Sequence, residues 1–187
     1  ALVDAGYWRH ESLAQCGAIL GNLSFPTKSS NQIFMPLYQQ VVNNALEKLL
    51  EHKVGLGAYS KTSQADIAMD NGLVAGYPST LLANAAGLGA GHFSLDAACA
   101  SSCYSIKLAC DYLLTGKADM MLAGAVSAAD PFFVNMGFSI FQAYPENQVH
   151  APFDQESQGL FAGEGAGMMV LKRHSDAVRD GDKIYAL

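Results

Sequence analysis

The sequence predicts an α/β fold in which helices cover both faces of a mostly parallel sheet. Residues 16–22 (CGAILGN) form an almost continuously apolar run, which is typical of a strand buried on both faces. Two further apolar strands, over residues 93–97 and 119–126, lie on either side of a helical pattern over residues 100–115 that Gly116 ends. A strand–helix–strand unit of this kind joins parallel strands by a right-handed crossover.

The other elements follow from apolar spacing and from turn residues. Apolar residues recur at helical spacing over residues 32–52, whereas residues 55–76 give no clear pattern. A short helix has Pro78 in its first turn and Gly87 as its cap. The remaining predictions are a helix over residues 132–144, a strand over residues 168–172 and a last strand over residues 184–187.

Composition indicates a single folded domain and excludes several classes of partner. Of the 187 residues, 50% are hydrophobic and 15% are charged, which favours a packed core over disorder. The formal charge of −6, without a basic cluster, argues against nucleic acids and anionic membranes. No secretory signal is visible, and the longest nearly apolar run, residues 120–129, is too short to span a bilayer. We therefore expect a cytoplasmic chain with free thiols.

Cys99 stands where the strand of residues 93–97 gives way to the following helix. Backbone N–H groups at the start of a helix favour negative charge, and such a position favours the nucleophilic thiolate form of a cysteine. The nucleophile elbow of serine hydrolases has the same geometry, with N–H groups ready to bind an oxyanion. Cys99 is therefore a candidate nucleophile. The alternative is a small core residue, since free cysteines are often buried.

Other motifs favour structural roles. Cys103 and Cys110 lie on the same helical face as Cys99, but no CxxC pair and no nearby histidine at ligand spacing supports a metal site or a disulfide. We interpret both as core packing beneath Cys99. The glycine-rich runs at residues 86–91 and 163–167 lead into strands rather than helices, so they lack the geometry of a phosphate-binding loop. Close backbone approach explains both runs.

Three short motifs stand out around and after Cys99. Residues 96–102 read DAACASS, residues 151–154 read APFD, and residues 159–167 read GLFAGEGAG. They resemble the active-site signature DTACSSS and the PFD and GFVxGEGAG stretch of the β-ketoacyl synthases. The resemblance runs along the whole chain, with further matching segments at residues 1–7, 16–21 and 171–177. Within the family, residues 103–112 and 130–138 look most like the ketosynthase of bacterial polyunsaturated fatty acid synthases.

The resemblance implies a thiolase-like fold with α/β/α/β/α layers, built from two similar halves and assembled as a homodimer. Residues 1–187 would be the N-terminal half of a ketosynthase domain, truncated at both ends, with a mostly parallel mixed sheet flanked by helices. Cys99 would accept the acyl group, and its backbone N–H would form part of the oxyanion hole. Leu160 and Phe161 would line the acyl channel, although simple core packing also explains this apolar pair.

The resemblance implies no bound cofactor and no metal, because acyl groups arrive on the phosphopantetheine of an acyl carrier protein domain. The implied reaction is a decarboxylative Claisen condensation of the acyl-Cys99 thioester with malonyl-carrier, in polyunsaturated fatty acid or polyketide synthesis.

The chain departs from the family's pattern in two ways. Ala97 and Ala100 replace the usual threonine and serine beside the nucleophile. Because neither hydroxyl is the attacking group, we expect altered packing and retained chemistry. The family's catalytic histidines and lysine lie in HGTGT and NxGH stretches that this chain lacks. We expect the chain alone to be inactive in condensation.

Four alternatives remain open from the sequence. A thiolase also uses an elbow cysteine, and a non-catalytic chain-length partner usually lacks the nucleophile that Cys99 supplies. A module that only docks carrier proteins would need basic patches against an acidic partner, for which Lys172 and Arg173 are candidates. A cysteine hydrolase would need a histidine beside Cys99, and no local hydrolase pattern supports one. The histidines, interpreted as exposed or structural, are His10, His52, His92, His150 and His174.

Overall fold

A computed structural model describes residues 1–23, 28–52, 76–127, 133–146 and 151–187. Within this part of the chain, helices pack against a single mixed sheet of four strands. The predicted α/β class is therefore confirmed. Among the described helices, none combines the length and the apolar character that crossing a membrane requires.

The sheet has the strand order β2-β1-β3-β4. Strand β1 spans Cys16–Gly21, β2 spans His92–Leu95, β3 spans Met120–Ser127 and β4 spans Gly165–Lys172. Strand β1 runs parallel to both β2 and β3, whereas β4 runs antiparallel to β3 along its full length. The sheet is mostly parallel and mixed, as the family resemblance implied.

Five helices and two short 3₁₀ turns accompany the strands in the described ranges. Helix α3 (Ser101–Leu114) follows β2 and leads into β3, so it forms the predicted crossover between strands of one sheet. Pro78 lies in the first turn of α2 (Tyr77–Ala86), and Gly87 caps its end in the left-handed region with φ +71°, both as predicted. The helices are α1 (Lys28–Leu50), α2 (Tyr77–Ala86), α3 (Ser101–Leu114), α4 (Phe133–Ile140) and α5 (His174–Asp180).

Alternate side chains of β1 and β3 enter two hydrophobic clusters on opposite faces of the sheet. One cluster contains Cys16 and Met120, and the other contains Ile19 and Met121. Every residue of β1 is buried, which explains the continuous apolar run in the sequence. Helix α3 covers one face with a row of buried residues at every fourth position: Ser101, Ser105, Ala109 and Leu113.

Several element boundaries differ from the sequence predictions, and one predicted strand does not form. The helix predicted over residues 32–52 begins earlier, at Lys28, and the one predicted over residues 132–144 occupies only Phe133–Ile140. The last predicted strand, over residues 184–187, is wrong. In the described part of the chain no neighbouring strand pairs with it, and Tyr185 instead donates its phenol hydrogen to Asp4 at 3.1 Å. An apolar run becomes a strand only where the tertiary structure supplies a hydrogen-bonding partner.

The ends of the chain are joined through Lys172, whose side chain is only 9% exposed. Its ammonium group donates to Tyr7 Oη at 2.7 Å, to Asp180 at 2.7 Å and to Asp182 at 2.5 Å. Tyr7 in turn donates to Asp182 at 2.6 Å. These contacts attach the N-terminal segment to β4 and to the segment after α5.

Arg173 ties α5 to the end of α3. Its guanidinium donates to the carbonyl oxygens of Leu113 and Ala118 and to the carboxylates of Asp119 and Asp176. A cation at the C-terminus of a helix satisfies carbonyl groups that have no partner within the helix. Arg173, like Lys172, is thus engaged in ion pairs within the chain. That these two scattered basic residues dock a carrier protein stays a prediction.

The ion pairs shift the pKa values of the groups that form them. Burial by itself lowers the pKa of Lys172, but its bonds to Asp180, Asp182 and Tyr7 outweigh burial and raise that pKa above its ordinary value. Arg179 and Lys172 lower the pKa of Asp180 from 3.8 to about 2. Burial raises the pKa of Asp182, and donation from Lys172 and Tyr7 more than reverses this, so its pKa falls below the ordinary value.

We predict that Asp182→Asn lowers the free energy of unfolding by about 1–3 kcal/mol at pH 7, because it weakens the pairing of a buried ammonium group. A depressed carboxyl pKa contributes stability above the unfolded-state pKa and loses it as the pH falls through the folded-state pKa. The difference from wild type should therefore narrow as the pH falls from about 5 toward about 2. Urea unfolding of both proteins across this pH range measures the difference in their free energies of unfolding. Asp4→Asn, at an exposed acid that accepts from Tyr185 in the described part of the chain, is the control and should cost less. Equal losses in both variants would contradict the prediction.

Candidate functional site

The site is built around the turn between β2 and α3. Strand β2 ends at Leu95, a short 3₁₀ turn spans Ala98–Ala100, and α3 begins at Ser101. Cys99 is the middle residue of this turn, and its thiol is exposed. The structure thus places Cys99 at the predicted strand-to-helix elbow, and the alternative that it is a buried core residue is wrong.

Side-chain hydrogen bonds hold the turn in a conformation that is uncommon for alanine. Ala98 has φ +49°, in the left-handed region that residues with a Cβ rarely adopt. Ser101 Oγ accepts from the N–H of Ala97 at 2.9 Å and donates to the carbonyl of Ala98 at 2.7 Å. The Asp96 carboxylate accepts from the N–H of Ala98 at 2.9 Å. The chain reverses sharply within these residues, and strain of this kind persists only where neighbours hold it.

Strand β1 supports the turn from below through Gly21. A Cβ added at Gly21 would lie 2.8 Å from the carbonyl carbon and the Cβ of Ser101. Only a residue without a side chain fits at this distance, so the end of β1 and the start of α3 are in direct backbone contact. Ser101 is 6% exposed as a result.

Cys99 lines a cavity of about 860 Å³. Its walls come from four parts of the chain that lie far apart in sequence: the end of β1, the elbow, the end of β3 with α4, and the segment at residues 160–163. Most wall residues are apolar, and none of the described ones carries a charge. The large apolar side chains are Leu23, Val126, Val134, Met136, Phe138, Ile140, Phe141, Leu160 and Phe161.

Leu160 and Phe161 lie in the same cavity as Cys99, as the family resemblance implied. The N–H of Leu160 donates to the carbonyl of Ala143 at 2.9 Å, which attaches this segment to the chain after α4. Phe161 stacks on Tyr144 with ring centroids 5.6 Å apart. The structure therefore brings together all three residues that were proposed from the sequence.

Sequence reasoning missed the contribution of α4. Met136, Phe138 and Phe141 line the cavity, yet their apolar spacing indicated only a helix with a buried face. The high apolar content of the 132–144 stretch was the available signal, but nothing in its spacing connects it to Cys99.

The other cysteines differ from Cys99 in their surroundings. Burial raises the pKa of the Cys16 thiol to about 11, so it stays protonated at neutral pH. Cys103 is exposed and Cys110 is half-buried, so the prediction that both pack in the core beneath Cys99 is wrong for Cys103. The buried face of α3 is instead the row that starts at Ser101, from which Cys103 is offset by two positions and Cys110 by one.

Within the described ranges, no cluster of three histidine, cysteine, aspartate or glutamate side chains could hold a metal ion. The four histidines that the structure describes, His10, His52, His92 and His174, do not line the cavity, and His150 lies outside the described residues. Polar groups at the cavity come from Asn22, Ser101, Ser102 and Ser127 and from the peptide backbone.

Comparison with known proteins assigns the chain to a family. The family described as "Beta-ketoacyl synthase, N-terminal domain" matches residues 1–177. The chain is 41% identical over 174 residues to a polyunsaturated fatty acid synthase polypeptide of Thraustochytrium sp., covering 91% of this chain and 8% of that protein. It is 33% identical over 197 residues to a second polyunsaturated fatty acid synthase polypeptide from the same organism, covering 100% of this chain and 7% of that protein.

Solved structures have the same fold. One described as "PfaC Keto synthase-Chain length factor" is 73% identical, with a TM-score of 0.75 over 99% of this chain and 20% of that one. A type II polyketide ketosynthase solved in complex with its acyl-carrier protein has a TM-score of 0.67 at 21% identity, over 99% of this chain and 43% of that one. The chain thus spans a small part of the relatives it matches. Because the family match extends over residues 1–177 of 187, the chain belongs to the β-ketoacyl synthases.

Proposed function

We propose that this chain is the part of a β-ketoacyl synthase that carries the acyl-accepting nucleophile, Cys99. The observation that carries the proposal is the position of the exposed thiol at a strained elbow, facing a large apolar cavity. A nucleophile needs access to its substrate, and an acyl chain needs an apolar space beside the reacting carbon. Both requirements meet at Cys99.

In the first step, the Cys99 thiolate attacks the carbonyl carbon of an acyl thioester on the phosphopantetheine of a carrier protein. A new C–S bond to Cys99 forms, the bond to the carrier sulfur breaks, and the carrier thiolate takes up the proton that Cys99 gave up. Cysteine suits both halves of this exchange because thiolates attack readily and leave readily. The backbone N–H of Cys99, just before α3, would stabilise the oxyanion of the tetrahedral intermediate.

The acyl chain would lie in the cavity between α4 and the segment that carries Leu160 and Phe161. Moving each methylene from water into such an apolar environment is favourable by about 0.8 kcal/mol. With no charged side chain among the described wall residues, the cavity suits a hydrocarbon better than a polar chain.

In the second step, malonyl-carrier loses carbon dioxide, and the resulting carbanion attacks the acyl-Cys99 carbonyl. The C–S bond to Cys99 breaks, and the product is a β-ketoacyl-carrier that is two carbons longer. The described cavity walls contain no histidine or lysine that could assist the loss of carbon dioxide. We therefore assign acyl transfer to this chain and condensation to the whole synthase.

Further features of the proposal follow from the relatives and from the sheet. The identities to polyunsaturated fatty acid synthases favour that pathway over polyketide synthesis. Strand β2 lies at the edge of the sheet, where a second copy of the chain could pair with it, and this supports a homodimer. The four cysteines are all free thiols, which suits a cytoplasmic location.

Acylation of Cys99 is the first expected result. Incubation with an octanoyl thioester of N-acetylcysteamine should add one octanoyl group, detected by intact-protein mass and located by peptide mapping. Cys99→Ser should lose this adduct, whereas Cys103→Ser, at another exposed thiol of the same helix region, should keep it. An adduct that persists in Cys99→Ser would overturn the proposal. Rapid release of octanoate to water would favour a cysteine hydrolase instead.

Gly21→Ala should slow acylation of Cys99 by roughly tenfold or more, because the new methyl group displaces Ser101 and with it the elbow. Gly165→Ala, in β4 where an added Cβ has no heavy atom within 4 Å, is the matched control and should acylate at the wild-type rate. Stopped-time mass spectrometry gives both rates. An unchanged rate in Gly21→Ala would mean that the contact between β1 and the elbow does not position the thiol.

The 187-residue chain should not release carbon dioxide from malonyl thioesters, even after acylation of Cys99. The physical reason is the absence of histidine and lysine from the described walls of the cavity. Release of labelled carbon dioxide from carboxyl-labelled malonyl-N-acetylcysteamine is the measurement, with the Cys99→Ser chain as background. Release above that background would contradict the proposal that this chain carries out acyl transfer without condensation.

A further inference from the structure

Two aromatic side chains line the Cys99 cavity from different parts of the chain. Phe138 belongs to α4, and Phe161 belongs to the segment before β4. No regular strand or helix of the described chain joins the two residues directly. Their relative position therefore depends on the contacts between the two segments, which include the backbone bond from Leu160 to Ala143.

Tyr144 contacts both of these rings from behind the wall. Its ring centroid lies 5.6 Å from that of Phe161 in a stacked arrangement and 6.1 Å from that of Phe138 in an edge-on arrangement. Tyr144 does not itself line the cavity. Tyr144 is half-buried. Offset-stacked and edge-on contacts are the favoured geometries of aromatic pairs, so both contacts orient the wall rings.

The phenol of Tyr144 is itself anchored to α4. It donates to Asn135 Oδ1 at 2.5 Å, and Asn135 lies one helical turn before Phe138. The backbone beside Tyr144 adds a second connection, since the carbonyl of Ala143 accepts from the N–H of Leu160. Tyr144 therefore has a fixed orientation relative to both wall segments.

We propose that Tyr144 is a positioning residue that sets the width of the acyl cavity by holding Phe161 against it, and so determines which acyl chains reach Cys99. The inference rests on the proposed acyl-accepting role of Cys99. Loss of the Tyr144 ring opens space behind Phe161, which lets Phe161 move away from the cavity. The variant cavity then admits longer chains more readily than the wild type does.

The test compares acylation of Cys99 by tetradecanoyl and octanoyl thioesters of N-acetylcysteamine. Tyr144→Leu should raise the ratio of the two rates by roughly tenfold, the lower end of the range by which a hydrophobic pocket discriminates a difference of one methylene. Tyr112→Leu is the matched control, because Tyr112 forms a similar pair with Phe93 at 6.0 Å, away from the cavity. Its ratio should equal that of the wild type.

An unchanged ratio in Tyr144→Leu overturns the inference, and so does an equal rise in Tyr112→Leu, which would indicate general loosening. If Tyr144→Leu fails to fold, Tyr144→Phe decides the question. It keeps the ring and loses only the bond to Asn135, and its ratio should rise roughly two- to threefold, as expected for one lost hydrogen bond at a wall support. No rise in Tyr144→Phe would then overturn the inference.

A second probe separates this inference from the proposed function. N-dodecylmaleimide and N-ethylmaleimide alkylate thiols without any catalytic group: the sulfur adds to one alkene carbon, and a proton adds to the other. If wild-type Cys99 takes no acyl group, the proposed function fails, and the ratio of the two alkylation rates still tests Tyr144. That ratio should rise in Tyr144→Leu by a similar factor, and an unchanged ratio would overturn the positioning role.

Discussion

Cys99 faces the cavity because the chain turns from β2 into α3 within a few residues, and the two hydrogen bonds of Ser101 hold that reversal. The hydroxyl accepts from Ala97 and donates to Ala98, so one buried side chain closes the turn from both sides. Ala98 remains in a left-handed conformation only because these bonds and the bond to Asp96 oppose its relaxation. The reversal places the thiol directly before the first turn of α3.

The sheet makes this turn rigid enough to support chemistry. Strand β1 is buried on both faces between two hydrophobic clusters, and its last residue, Gly21, lies in backbone contact with Ser101. The strained turn therefore rests on the most completely buried of the described strands. The cavity wall at the end of α4 is much less buried: Ile140 is 70% exposed and Phe141 is 80% exposed. A site with a fixed nucleophile and a less tightly packed apolar wall can hold one reacting group while accommodating different acyl chains.

No charged side chain lines the cavity in the described part of the chain, and charged side chains form ion pairs elsewhere in the fold. The acidic groups around Lys172 and Arg173 attach the terminal segments to the sheet and to the end of α3. The described cavity beside Cys99 is lined by apolar side chains, small polar side chains and backbone, which suits the uncharged hydrocarbon of the proposed function. The distribution also explains why two basic residues that looked available for a carrier protein in the sequence are engaged in ion pairs.

Residue order alone was enough to predict the α/β class, the succession of strands and helices, and the elbow at Cys99, because these depend on short-range periodicity and on small residues at a turn. It also carried the motif that links Leu160 and Phe161 to the same family site. Long-range packing accounts for the exposure of Cys103, the failure of residues 184–187 to form a strand, the place of Phe138 in the cavity wall and the contact between Phe138 and Tyr144. Each of these depends on which distant segment packs beside a residue, and local spacing contains no information about that neighbour.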